Sequence, residues 1–337
     1  MQIFEALEFS GKRTEPLVLT IGNFDGVHLG HRALLLEVVR AAERLGAIPS
    51  AMTFVPHPLK VILKNPEIKL LTTPEDRASL IESIGIERLF RLKFDEETAR
   101  TGARDFVINV LHRNLQIAAL VVGHDYTLGR NKEGNLQFLQ NMGQELGFDV
   151  MEGPRQEVDG VVVSSTKIRE CLLNGDILLA NRLLGRPYSI SGMVDKCSGR
   201  GHGLGFPTAN SIDIKTLLPQ NGVYITESCI DGRMFRSVTN IGHHPTFFTG
   251  KSSVETHLID ERLDVYGKSI TTFFIKRIRA EHRYESREQL IRQICSDVDT
   301  ARRFFHALER ECPEDEREIP ESDVEVGTYW DRTGKRS

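Results

Sequence analysis

The spacing of apolar positions changes character once along this chain, near residue 188. Upstream, short aliphatic runs at 16–21, 47–54, 87–92, 117–123 and 148–151 predict strands, and segments of helical period separate them. After the first run, Leu34, Val38, Ala41, Ala42 and Leu45 share one face of a predicted helix. This alternation predicts right-handed crossovers and a parallel sheet with helices on both faces. Ligands of such sheets sit beyond the carboxyl ends of the strands, where 22–31, 53–58 and 123–126 fall.

Downstream, the period is two. Runs at 222–230, 234–241, 254–259 and 270–278 predict strands, and Asp231-Gly232 is a hairpin signal between the first two. No crossover helix separates them, so a small antiparallel barrel or sandwich is expected. A helix from Arg287 to about Ala307 closes it: Ser286 and Gln289 have capping-box spacing, and Leu290, Ile294, Val298, Ala301 and Phe305 form an apolar stripe. The expected division is a first domain over 1–184, a second over 185–308 and a charged flexible tail over 309–337. A length of 337 residues suits two domains, each with its own core.

A net charge of −4 with acids and bases intermixed gives no electrostatic footprint for nucleic acid, so phosphate binding must be local. The cysteines, Cys171, Cys197, Cys229, Cys295 and Cys312, are odd in number and lack Cys-x-x-Cys spacing, which argues against a disulfide framework or a zinc knuckle. No leader pattern opens the chain, and the apolar run 117–122 is far too short to span a bilayer. The expectation is a cytoplasmic protein without membrane or nucleic-acid partners, a monomer or weak homo-oligomer acting on small molecules.

The richest segment is Gly22-Asn23-Phe24-Asp25-Gly26-Val27-His28-Leu29-Gly30-His31, which joins the first strand to the first helix. Glycines at 22, 26 and 30 permit positive φ and close approach of a ligand, and the helix N-terminus offers N–H groups to phosphate. His28 and His31, three apart, point the same way on a helix. A solvated strand–helix turn would show the same residues. Ser164-Ser165-Thr166-Lys167-Ile168-Arg169 opens another helix with capping hydroxyls and two cations. Together the two turns can grip a triphosphate, and with no covalent nucleophile evident the chemistry would run on positioning and charge stabilisation. In the second domain, Leu204-Gly205-Phe206-Pro207-Thr208-Ala209-Asn210 is a glycine-proline turn ending in oxygen-bearing side chains, and Glu255 lies on a strand facing opposite to Thr256.

Segments 22–31, 53–58, 71–73, 122–126 and 164–170 resemble the adenylyltransferase module of bacterial bifunctional riboflavin kinase/FMN adenylyltransferases, whose Rossmann-like fold belongs to the HxGH nucleotidyltransferases. Segments 184–188, 204–210 and 254–257 resemble their riboflavin kinase module. The resemblance implies ATP, Mg²⁺, riboflavin, FMN and FAD as substrates, cofactor and products. In the first domain it implies that His28 and His31 stabilise the transition state. Gly22, Asn23, Phe24, Asp25, Gly26 and His57, with Asp125, Ser164, Ser165, Thr166 and Arg169, would hold nucleotide and flavin. In the second it implies Glu255 as general base for the ribityl hydroxyl and Thr208 and Asn210 as Mg²⁺ ligands. Gly199, Arg200, Gly205, Pro207 and Arg279 would complete that site. The sequence departs from the family pattern at Leu128, His202 and His244. A chain with only one active module, or a flavin-binding protein without turnover, is the alternative.

Overall fold

The computed structural model describes residues 1–5, 15–64, 68–130, 133–195, 206–243, 252–261 and 263–311. They form two compact units, dividing between Ser165 and Thr166.

The first unit is built on strands β1 (Gln2–Phe4), β2 (Leu17–Ile21), β3 (Ile48–Val55), β4 (Arg88–Lys93), β5 (Ile117–Val122) and β6 (Asp149–Glu152). Their order is β1-β4-β3-β2-β5-β6, and every pairing is parallel. Between them run helices α1 (Leu29–Leu45), α2 (Pro58–Ile62), α3 (Pro74–Glu82), α4 (Glu96–Arg100), α5 (Ala103–Phe106, continued by a π-helix over Val107–Asn114) and α6 (Leu136–Leu146). Alternate residues of β2 feed two cores. Leu17, Leu19 and Ile21 pack with Phe106, Leu111 and Leu139, whereas Val18 packs with Leu35, Val38 and Ile81. A strand buried on both faces has to be apolar throughout, which is why this one was legible as a continuous run. The edge strand β1 was not expected, because three residues carry too little pattern. Leu45 does not join the buried face of α1: the helix stops there at the left-handed Gly46, and the side chain is 44% exposed.

The sheet order reverses at β2, which has β3 on one side and β5 on the other. The crevice at such a switch point is the ligand site of open α/β sheets, and it lies beyond Ile21 and Val122.

The second unit contains a closed six-stranded antiparallel barrel. Its strands are β9 (Tyr188–Asp195), β10 (Ala209–Ile212), β11 (Gly222–Ile230), β12 (Arg233–His243), β13 (Ser252–Leu258) and β14 (Ser269–Arg279), joined in the order β10-β13-β12-β11-β14-β9. The short strands β7 (Glu157–Val158) and β8 (Val161–Val162) form a separate hairpin that belongs to the first unit. Asp231 and Gly232 both have positive φ, 51° and 77°, as a type I′ hairpin requires. Inside the barrel Ser228, Ser237, Thr226, Thr239 and Thr256 form a chain of hydroxyl hydrogen bonds of 2.8–3.0 Å. Outside, helix α9 (Arg287–Glu311) sets Val298, Ala301 and Phe305 against Val223, Ile225 and Val238. Ser286 Oγ accepts from Gln289 N, as the capping-box spacing predicts, while the return bond of Gln289 Oε1 is to Glu285 N, one residue before the cap. The helix runs to Glu311, beyond the expected start of the tail at 309, and the rest of that tail lies outside the described residues.

Helices α7 (Ser165–Leu173) and α8 (Ile177–Leu184) precede the barrel. Asn181 of α8 donates to Phe274 O and accepts from Tyr188 N, each at 2.8 Å, and Gln220 N donates to Leu172 O. These bonds place α8 with the barrel. The compact unit thus includes α7 and α8, upstream of the change in sequence texture near residue 188.

Candidate active sites

At the end of β2 the chain enters a loop of unusual backbone. Phe24, Gly26 and Val27 have φ of 48°, 86° and 39°. Positive φ thus falls on two residues with side chains, one of them β-branched, at a cost of about 1–3 kcal/mol each. Of the three glycines read as sources of conformational freedom, only Gly26 uses it. The other two make room: a Cβ on Gly22 would lie 3.0 Å from the Phe24 ring, and one on Gly30 would lie 3.2 Å from the His28 ring.

The strained loop is held by its buried groups. Phe24 and Val27 sink into the core. The Asp25 carboxylate accepts from Leu71 N at 3.0 Å, from Thr72 N at 3.2 Å and from Thr72 Oγ1 at 3.3 Å, and it pairs with Arg77 at 3.5 Å. Gly26 N donates to Thr72 Oγ1. Ser165 Oγ, expected to cap a helix, instead donates to Asp25 O at 2.8 Å. Phe24 and Asp25 therefore shape the loop from beneath. Replacing Asp25 by alanine would leave the Arg77 guanidinium and two amides buried without this acceptor. The expected result is destabilisation of the first unit by about 3–5 kcal/mol, read as a lower urea midpoint.

The loop delivers two imidazoles to the start of α1. His28 is the N-cap, and its Nδ1 accepts from His31 N at 3.2 Å. In neutral His28 the ring proton is consequently on Nε2. The His28 and His31 rings stack with centroids 3.6 Å apart and planes 16° apart, and the His31 ring meets Phe24 edge-on. His57 repeats the device: Nδ1 accepts from Leu59 N as the cap of α2, which leaves Nε2 as its donor. Thr53 Oγ1 donates to Asn23 O, tying this segment to the loop. Beyond β5, Asp125 is 83% exposed, 3.9 Å from His124. Ser164 is half-buried beside α7. Thr166, exposed, and Arg169, half-buried, lie on α7 within the second unit.

On the barrel, β13 pairs with β10 and β12, and Glu255 stands opposite both Asn210 and Asn240. Directly paired residues share a face, so one carboxylate is flanked by two amides. Thr256 faces the interior and is fully buried, opposite to Glu255 as the strand alternation required. The approach to β10 is held by His257, whose Nδ1 lies 2.9 Å from Pro207 O, with the Phe206 ring edge-on to its ring. A cleft of about 530 Å³ opens among Pro207, Thr208, Ala209, Leu258, Asp264 and Tyr266. The sequence showed 204–210 as a turn, but residues 209–212 complete the barrel.

Arg279 stands at the end of β14. It makes a forked pair with the buried Asp297, Nη2 to Oδ2 at 2.8 Å and Nε to Oδ1 at 3.1 Å, and so fastens the end of β14 to α9. Asn240, Asp297 and His257 stand in segments that match the riboflavin kinase module, but the match gives none of them a role, and only the register and the fold show their partners. At the end of β13, the Arg302 guanidinium of α9 holds the Asp260 carboxyl below the usual carboxylate range. Gly199, Arg200, Gly205, His202 and His244 lie outside the described residues. Among the described residues no cluster of His, Cys, Asp and Glu has the arrangement of a metal site, and Cys171, Cys229 and Cys295 are free thiols.

The FAD synthetase family model matches residues 10–167, and the riboflavin kinase model matches 184–305. The bifunctional riboflavin kinase/FMN adenylyltransferase of Escherichia coli K12 is 36% identical over 292 residues, covering 86% of this chain and 93% of that protein. Its Bacillus subtilis counterpart is 36% identical over 300 residues, covering 87% and 94%. A solved structure described as a macrolide-efflux protein from Streptococcus pneumoniae aligns with a TM-score of 0.81 at 27% identity, over 89% of this chain and 98% of that one. Among the described residues, no helix is long and apolar enough to cross a membrane. With relatives matched across both modules, in the same order and over nearly their whole length, the chain belongs to the bifunctional riboflavin kinase/FMN adenylyltransferase family.

Proposed function

We propose that this chain makes FAD from riboflavin in two ATP-dependent steps, phosphorylation in the second unit and adenylylation in the first. The observation that carries the reading is the presence, in one chain matched by both family models, of a stacked imidazole pair at a helix N-terminus and a carboxylate between two amides on a barrel.

In the kinase step Glu255 accepts the proton of the terminal ribityl hydroxyl as its oxygen attacks the γ-phosphorus. The bond from that phosphorus to the β-bridging oxygen breaks, and ADP leaves. Asn210 and Asn240 orient the carboxylate or the hydroxyl beside it. Thr208 and Asn210 supply neutral oxygen donors, which fit Mg²⁺, a hard cation that takes few protein ligands and completes its shell with phosphate and water. When bound it neutralises charge on the triphosphate.

In the adenylyl step a phosphate oxygen of FMN attacks the α-phosphorus of ATP, and pyrophosphate departs with the bridging oxygen. Asn23, His57 and the N-terminus of α1 are the groups this reading gives to the phosphates, and Nε2–H of His28 is the donor it gives to oxygens that gain charge. Asp125, Ser164, Thr166 and Arg169 are the further contacts this reading assigns. Gly22 and Gly26 serve the loop, and Phe24 and Asp25 serve it from the core.

Incubating the purified chain with riboflavin and Mg²⁺-ATP and resolving the flavins by chromatography tests the whole reading. FMN should appear first and FAD accumulate at its expense. FMN that never becomes FAD, or FAD only when FMN is added, would restrict the chain to a single activity.

A further inference from the structure

We propose that His257 is a positioning residue for phosphoryl transfer: it locks the turn that carries Thr208 to the strand that carries Glu255. The inference rests on the kinase reading above and adds a residue to which that reading gives no role.

The geometry is local. Residues 206–208 precede the first barrel pairing of β10, Ala209 with Thr256, so the ladder begins only after Thr208. Pro207 has no N–H, and its carbonyl is its only backbone hydrogen-bonding group. That carbonyl lies 2.9 Å from His257 Nδ1. A carbonyl only accepts, so Nδ1 carries a proton and donates. Phe206 meets the imidazole edge-on at 5.4 Å between centroids and packs with the apolar cluster beneath α9. The turn is thus held by one directional bond and one ring contact, both to the same side chain.

His257 and Glu255 are two apart on β13 and share its outer face. Asn210 is opposite Glu255, so the segment from Pro207 to Asn210 is fixed to β13 at both ends, by a side chain at one and by the ladder at the other. Thr208 lies between these two points. Loss of the first would let the Thr208 hydroxyl shift relative to the carboxylate while leaving the barrel intact. Misplacement by about 1 Å costs up to roughly a hundredfold in rate.

The test compares His257→Phe, which keeps a ring against Phe206 but has no donor, with His257→Asn, whose side-chain amide can reach the same carbonyl. In the full chain, His257→Phe should lower kcat for FMN formation by at least about tenfold, change KM for riboflavin by less than about threefold, and leave FAD formation from supplied FMN unchanged. His257→Asn should recover activity to within about threefold of the unmodified enzyme. Unmodified kcat in folded His257→Phe overturns the proposal, and so does an equal loss in both variants. If His257→Phe does not fold, His257→Asn decides, because a tenfold loss there removes the role of the donor. Glu255→Gln run alongside separates the two levels: if it is fully active the kinase reading fails, and if it is inactive while His257→Phe is unaffected only the present inference does.

Discussion

Glu255→Gln abolishes FMN formation from riboflavin, with kcat reduced by about 10²–10⁴, and leaves conversion of supplied FMN to FAD unchanged. The substitution keeps the shape of the side chain and its place between Asn210 and Asn240, so the strand register does not change. What it removes is a base. The ribityl hydroxyl is a poor nucleophile at neutral pH, and an amide in place of the carboxylate cannot take its proton as the bond to phosphorus forms. Because Glu255 is half-buried on the barrel exterior, away from the buried hydroxyl chain that includes Thr256, its loss should not disturb the core. Flavin chromatography with riboflavin alone and then with FMN reads both activities in one preparation. A Glu255→Gln enzyme that still makes FMN at the unmodified rate would remove the general-base assignment, and one that loses both activities while folded would show that the two reactions do not have separate sites.

The sequence shows some of this arrangement and hides the rest for physical reasons. Strands buried on both faces, such as β2, are apolar throughout and announce themselves, as does the Asp231-Gly232 hairpin, whose two positive φ angles few other pairs accept. The adjacency of Glu255 to Asn210 and Asn240 depends on which strands pair and in what register, and no local pattern encodes that. The roles inside the Gly22–His31 loop divide in the same way. A run of glycines and histidines marks a ligand loop, but the sequence does not tell which polar residue faces outward. Asp25 reads as a ligand contact because it sits among them, yet its carboxylate is spent on Leu71, Thr72 and Arg77, in a segment far along the chain. The pairing of Arg279 is hidden in the same way, since its partner Asp297 lies on the polar side of a helical stripe. A charged residue in a motif therefore identifies a site before it identifies a contact.

The second large effect is on the other reaction. His28→Asn combined with His31→Ala should lower FAD formation from FMN by at least about 10³ and leave FMN formation from riboflavin intact. The choice of asparagine separates chemistry from folding. His28 caps α1 by accepting from His31 N, and replacing a cap with alanine costs about 1 kcal/mol of stability. Asparagine is among the best N-caps, so His28→Asn preserves the helix start and the clearance over Gly30 while removing the Nε2–H donor. His31→Ala removes the ring stacked 3.6 Å beneath it, and His31 N remains to bond the new cap. Each single variant should lose roughly 10²-fold, and the pair less than the product of the two losses, because the stacked rings act as a unit on the same developing charge. An unchanged urea midpoint for the first unit alongside that loss would fix the defect in phosphate stabilisation. Equal activity of the double variant and the unmodified chain would remove the transition-state role from the two imidazoles.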